Sequence, residues 1–223
     1  MKISAVLLAC LYVVLLCTKS EEWSLGLELA LDLLAIGAAV RCGRKLVAAA
    51  FACTLISTSN FQVLQRVFHV ELSKTMGTWL ELEINAPYVG CFAFAALALI
   101  AWARPDRKQV TAGVMLSLAA FGLSLAAFLP ALNRTGYHVQ NRVLHVVCFA
   151  VSALVYGFGV VSMAQLDQPR RALVAAGFVS IALSGLFFQV TEIFPKAYAL
   201  DTVMDLTWTL GQLAAVAGLL AED

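Results

Sequence analysis

Eight long apolar runs, separated by short clusters of charge, constrain this chain more than any other feature. They are Ile3–Cys17, Ser24–Val40, Leu46–Val67, Ile84–Ala103, Val110–Leu132, Val143–Leu166, Ala172–Phe194 and Ala199–Leu220. A helix needs roughly 20 apolar residues to cross the hydrocarbon core of a bilayer. Inside that core every backbone N–H and C=O must be bonded within the protein, so such runs become helices. Composition agrees, at 61% apolar and 13% charged, against roughly 45–50% and 25% in soluble domains. A net charge of +1 leaves no case for nucleic-acid binding through bulk basic charge. The expected fold class is all-α: a single polytopic transmembrane helical bundle of about eight spans over residues 1–223.

The first run, over residues 3–17, is short and follows Met1-Lys2, so it reads as a signal-anchor, a first span or a cleaved signal peptide. Its end, Leu15-Leu16-Cys17, lacks the small residue of a processing site, which favours retention. Cleavage would leave seven spans in the same orientation.

Basic residues set that orientation. With the amino terminus cytoplasmic, the inner side holds Lys2, Arg41, Arg44, Lys45, Arg104, Arg107, Lys108, Arg170 and Arg171. The outer side holds Lys19, Arg66, Lys74, Arg134, Arg142 and Lys196, so nine stand against six and both termini are expected in the cytoplasm. Trp23, Trp79, Tyr88, Tyr137 and Tyr198 are expected at the outer interface and Trp102 at the inner one. The longest outer loop, Phe68–Glu83, carries Leu72, Met76, Trp79 and Leu80 at a spacing that suits a short helix on the membrane surface. Pro87 then restarts the chain into the next span.

Acids sort to the outer side more sharply than orientation requires: only four of the fourteen lie on the inner side. An ionisable side chain in the bilayer costs ~2.5–3.5 kcal/mol on insertion scales, so each needs a partner or water. Glu28 and Asp32 are four residues apart and share a helix face, as do Asp201 and Asp205. Gln189 and Glu192 lie near the outer end of the seventh run, and His145 one turn into the sixth. Ser57, Ser59, Asn60 and Gln62 line the outer half of the third.

These residues predict a polar, acidic pocket open to the extracytoplasmic side, suited to a lipid head group, a cation or protons. Its candidate ligand-binding residues are Asp32, Asp205, Glu192, His145, Glu28, Gln189 and Asn60. The plainer reading has the same groups finishing helices at the water interface, with Asp201 as an N-cap.

Other chemistry finds less support. His138 and His145 are seven residues apart, about 10 Å along a helix, and no HxxxH or HExxH pair exists. The six cysteines form no CxxC, and cysteines inside spans usually pack as small apolar residues. There is no GxSxG elbow, P-loop or GxGxxG, and no lysine in the last span for a Schiff base. No catalytic residue, metal or cofactor is expected. Ala176–Ser180–Ser184 and Gly211–Ala215 place small residues four apart, which lets helices approach closely.

The loop residues Ser73 and Gly77, then Pro87, together with Gly122-Leu123-Ser124-Leu125-Ala126 and Trp208, carry a resemblance. Over residues 44–223 the chain resembles the six-span family of damage-regulated autophagy modulators and post-GPI-attachment lipid-remodelling factors. It departs from that family's pattern at Val70-Glu71 and at Tyr88. The resemblance implies a six-span core, a non-enzymatic role in lipid handling and an endomembrane location, and it transfers no catalytic residue.

The function expected from the sequence is therefore a non-catalytic integral membrane protein that binds or handles a lipid or small ligand, with membrane lipids as its partners. The alternatives are a structural subunit of a larger membrane complex, and a membrane sensor or metal-dependent intramembrane enzyme. An endomembrane, a plasma membrane and a bacterial inner membrane all suit such a chain.

Overall fold

The computed structural model describes residues 21–66, 79–132, 139–165, 168–193 and 198–221. The first apolar run, residues 67–78, His69 and His138 lie outside them. Seven helices are present and no strand is found among the described residues. They are α1 (Glu21–Arg41), α2 (Lys45–Arg66), α3 (Trp79–Ala103), α4 (Arg107–Leu132), α5 (Val139–Met163), α6 (Pro169–Ile193) and α7 (Tyr198–Leu220). In α3 to α7 the segments Ala86–Ala103, Arg107–Leu129, Arg142–Met163, Pro169–Phe187 and Val203–Leu220 are each long and apolar enough to cross a membrane. This is a multi-pass membrane protein with an all-helical bundle.

Short connections make successive helices antiparallel neighbours. Helix α1 ends in a Schellman turn: Gly43 N–H donates to Val40 O (3.0 Å) and Arg44 N–H to Ala39 O (2.7 Å). That turn needs a left-handed residue, and Gly43 supplies it at φ 68°. Helix α4 starts with a reciprocal cap in which Gln109 N–H donates to Asp106 Oδ1 (2.8 Å) and Asp106 N–H to Gln109 Oε1 (3.0 Å). Pro169 opens α6, where its missing N–H costs nothing.

Six helices close a ring. Helix α1 packs on α2, α2 on α3, α3 on α5, α5 on α6, α6 on α7, and α7 returns to α1. Helix α4 stands outside the ring against α5. Its outward side carries Val110, Val114, Met115, Leu116, Leu118, Leu123 and Leu129, all exposed. Lipid tails are as apolar as leucine, so burial of leucine does not hold such helices together; close packing and interhelical hydrogen bonds do.

Small residues make that close packing possible. A Cβ on Gly177 would stand 2.6 Å from Gly211 O, and one on Gly211 would stand 2.7 Å from Gly177 O. Along the same α6–α7 seam Ser180 Oγ donates to Thr207 O (2.6 Å) and Ser184 Oγ to Met204 O (2.8 Å). Helices α4 and α5 meet the same way, with Gly157 against Ser117 and Gly113 O.

Two local expectations change. Pro87 lies inside α3 rather than at its start, because the helix begins at Trp79. Trp79 and Leu80 thus open a continuous helix and do not belong to a separate surface helix. Pro87 is the ninth residue of that helix, so its missing N–H removes one hydrogen bond of the helix ladder. The Tyr88 ring packs edge-on against Trp208, centroids 5.7 Å apart. Asp201 is not an N-cap, since α7 begins three residues earlier at Tyr198.

Candidate functional site: a buried carboxyl between three helices

Helix α1 turns Leu31, Asp32, Ala35, Ala38 and Ala39 inward and Leu33, Leu34 and Val40 outward. The inward stripe follows the 3.6-residue period and carries Asp32 with it. Asp32 is fully buried and is the twelfth of the 21 residues of α1, so it sits near mid-length. Its Oδ1 accepts Thr54 Oγ1 from α2 (2.7 Å) and Gln212 Nε2 from α7 (2.7 Å). The single hydroxyl proton of Thr54 faces a second acceptor, Phe51 O at 2.8 Å. That carbonyl already serves the α2 backbone ladder, so the carboxyl oxygen is the better destination.

Both donors therefore converge on one oxygen. Asp32 Oδ2 is buried with no hydrogen-bond partner, and so is Gln212 Oε1. Uncompensated acceptors of this kind are costly where water is scarce. One turn before Gln212, Trp208 Nε1 is also buried without a partner. One turn along α2 from Thr54, Ser57 and Thr58 are buried. On α3, Cys91 is fully buried and lies within electrostatic reach of Asp32 and of Cys53 and Cys148.

Of the residues expected to form the pocket, those with described side chains do not all gather at Asp32. Asp32 is the centre just described. Asp205 is half-buried on α7, seven residues before Gln212 and on the same side of the helix, about 10 Å along its axis. His145 is buried on α5, its ring 6.4 Å from that of Phe149, which packs in turn on Phe128 of α4 at 5.0 Å. Helix α5 is not among the helices packed extensively on α1, so His145 belongs to a separate aromatic cluster. Asn60 is exposed. The side chains of Glu28, Gln189 and Glu192 lie outside the described residues.

Sequence reasoning missed Thr54 and Gln212, although one signal was available. Gln212 interrupts an otherwise apolar stretch, Leu210-Gly211-Gln212-Leu213-Ala214, one heptad beyond Asp205. Among the described residues no group of three or more His, Cys, Asp or Glu side chains is placed to hold a metal ion.

A second polar network closes the other end of the bundle, where the α1–α2, α3–α4 and α5–α6 connections meet. Arg171, buried at the start of α6, donates to Trp102 O (3.3 Å) and to Gln165 Oε1. Gln165 Nε2 donates to Gln109 Oε1 (2.9 Å), and the Arg44 guanidinium stacks 4.1 Å above the Trp102 ring. Cys42 Sγ meets Leu219 O at 3.3 Å. Arg41, Lys45, Arg104, Arg107, Lys108 and Arg170 are exposed at this same end. Arg104 holds φ 43°, a left-handed conformation that most side chains avoid.

Comparison with family models, with curated proteins and with solved structures finds no match for this chain. The six-span resemblance therefore rests on the residues quoted for it above.

Proposed function

We propose that this is a non-enzymatic multi-pass membrane protein that binds a small polar ligand at an intramembrane site centred on Asp32. The observation that carries the reading is the Asp32 carboxyl, fully buried near mid-helix with one oxygen held by two neighbouring helices and the other undonated. An acid at bilayer depth is retained against a cost of ~2.5–3.5 kcal/mol, and such residues mark ligand and ion sites. Residues Ser57, Thr58, Trp208 and Asp205 continue a polar line from it toward the start of α1. In the orientation set by the basic residues this is the extracytoplasmic side, with about eight spans, or seven after cleavage, and both termini in the cytoplasm. The six-span resemblance adds lipid handling in an endomembrane.

The test is thermal unfolding of the purified chain in mild detergent across pH, alkali cations, small organic cations and lipid head groups. A ligand that binds only the folded state stabilises it by about 2.7 kcal/mol at a hundred times its Kd. The expected result is at least one condition that raises the unfolding temperature of wild type and leaves Asp32→Asn unmoved. Identical responses of the two proteins throughout would sink the reading.

Helix α4 supports a second reading, that of a subunit in a membrane complex. Only 17% of its span is buried, against 39–56% for the other four spans. That reading expects a stoichiometric partner in native mass spectrometry after mild extraction. It fails if the chain arrives alone, with lipid as its sole companion.

A further inference from the structure

We propose that the occupant of the Asp32 site is a proton, held on Asp32 Oδ2 and shared with Gln212 Oε1; this rests on the ligand-site reading above. A carboxylic acid and a primary amide pair through two antiparallel hydrogen bonds. The amide N–H donates to the carboxyl C=O, and the carboxyl O–H donates to the amide C=O. The first of these is present, Gln212 Nε2 donating to Asp32 Oδ1 at 2.7 Å. The remaining atoms of those same two groups are Asp32 Oδ2 and Gln212 Oε1, both acceptors, both buried and both without a donor. One proton converts that conflict into the second hydrogen bond of the pair. A single proton thus satisfies both atoms at once.

The competing occupant is a metal cation, and the site is poorly built for one. Alkali and divalent ions are held by several oxygens, in membranes commonly including carbonyls released where a helix unwinds. Helices α1, α2 and α7 run unbroken past Asp32, Thr54 and Gln212, so their backbone carbonyls are committed. The side-chain oxygens at hand are those of Asp32, Gln212 and Thr54, and no metal-ligand cluster occurs among the described residues.

The groups facing Asp32 also bear on its charge. From α2 these are Thr54 and, further off, Cys53; from α7, Gln212, with Trp208 and then Asp205 beyond it; from α3, Cys91. None of them is a cation. Arg41, Arg44, Lys45, Arg170 and Arg171 belong to the far end of the bundle, and Arg66 ends α2 twelve residues, about 18 Å along the helix, beyond Thr54. Nothing in this set balances a carboxylate, whereas every group tolerates a neutral acid.

Proton uptake forms the Oδ2–H bond and adds a second hydrogen bond between α1 and α7. Release breaks that O–H bond, returns the proton to water and leaves one hydrogen bond to Gln212. Occupancy by a proton is thus tied to how firmly α1 holds α7. Asp32→Asn mimics the protonated state, since its Nδ2 can donate to Gln212 Oε1 as the acid would.

Infrared difference spectroscopy of the detergent-solubilised chain between acidic and alkaline pH reads the proton directly. The expected result is a protonated-carboxyl C=O band that titrates in wild type, is absent in Asp32→Asn and shifts in Gln212→Leu, where its amide partner is gone. Thermal unfolding supplies a second readout. A proton bound by the folded chain stabilises it, so wild type loses stability as pH rises through the titration of Asp32. Asp32→Asn should be folded and lack that component. Should Asp32→Asn fail to fold, Asp32→Glu keeps a carboxyl and must move the band.

Absence of any Asp32-dependent carboxyl band over the whole pH range in which the chain is folded overturns the proton. If an alkali or organic cation then stabilises wild type but not Asp32→Asn, the ligand-site reading stands with a different occupant. If no cation, lipid head group or pH change separates the two proteins, both inferences fall together.

Discussion

Replacing Gly211 with leucine is expected to prevent α6 and α7 from docking and to leave little folded protein. A Cβ at position 211 would lie 2.7 Å from Gly177 O, 2.7 Å from Ile181 Cγ1 and 3.0 Å from Ile181 N. Two of these neighbours are backbone, which cannot rotate aside, so the helices must part. Parting also stretches the bonds from Ser180 and Ser184 to the α7 carbonyls, and it withdraws Gln212 from Asp32. Overpacking alone costs about 1–3 kcal/mol, and the lost seam adds to that, so an effect of roughly 3 kcal/mol or more is expected. The same replacement at Gly122, where a Cβ meets nothing within 4 Å, should be neutral or slightly stabilising. Unfolding monitored by circular dichroism in mild detergent compares the two. Equal stability of the two leucine variants would show that the α6–α7 seam is not packed as described.

Arg171→Ala is expected to destabilise the chain by about 2–3 kcal/mol, whereas Arg170→Ala, one residue away, should cost less than about 0.5 kcal/mol. The two side chains carry the same charge and differ in burial. Arg171 is 4% exposed and ties the α3 terminus to the segment after α5 through Trp102 O and Gln165, while Arg170 is exposed. Removing a buried charged donor strands its acceptors, and each charge-assisted bond contributes about 1.5–3 kcal/mol. The measurement is the unfolding temperature of both variants against wild type. A larger loss in Arg170→Ala would refute this assignment of roles.

The basic end and the buried acid are built on the same three helices. Cys42, in the turn between α1 and α2, meets Leu219 of α7, and those same three helices meet at Asp32. The Schellman turn at Gly43 fixes the angle between α1 and α2 at one end. The Asp32, Thr54 and Gln212 contacts fix their separation near mid-length.

Much of this architecture is written locally. The apolar runs, their lengths and the charges between them specify helices and a membrane, because only internally bonded backbone survives in hydrocarbon. Gly43 and the Asp106–Gln109 pair mark their helix ends by chemistry confined to a few residues. The cost of an acid in the bilayer likewise put Asp32 among the candidate residues from the sequence alone, beside Glu28, Asp205 and Glu192.

What the sequence could not determine was which faces meet. Thr54 and Gln212 are inconspicuous in their own helices and become important only because α2 and α7 both flank α1. His145 and Asp205 share a chain and a polar character with Asp32, yet α5 places the histidine in an aromatic cluster and α7 holds the aspartate about two turns from Gln212. Pro87 reads as a break when only neighbouring residues are considered, but a helix continues through it in the bundle. Periodicity fixes the stripe that each helix presents; which stripes pair is set by the close fit of backbones at Gly177, Gly211, Gly113 and Gly157. That fit depends on contacts between residues far apart in the chain, so the tertiary structure alone decided that the buried acid stands between a hydroxyl and an amide.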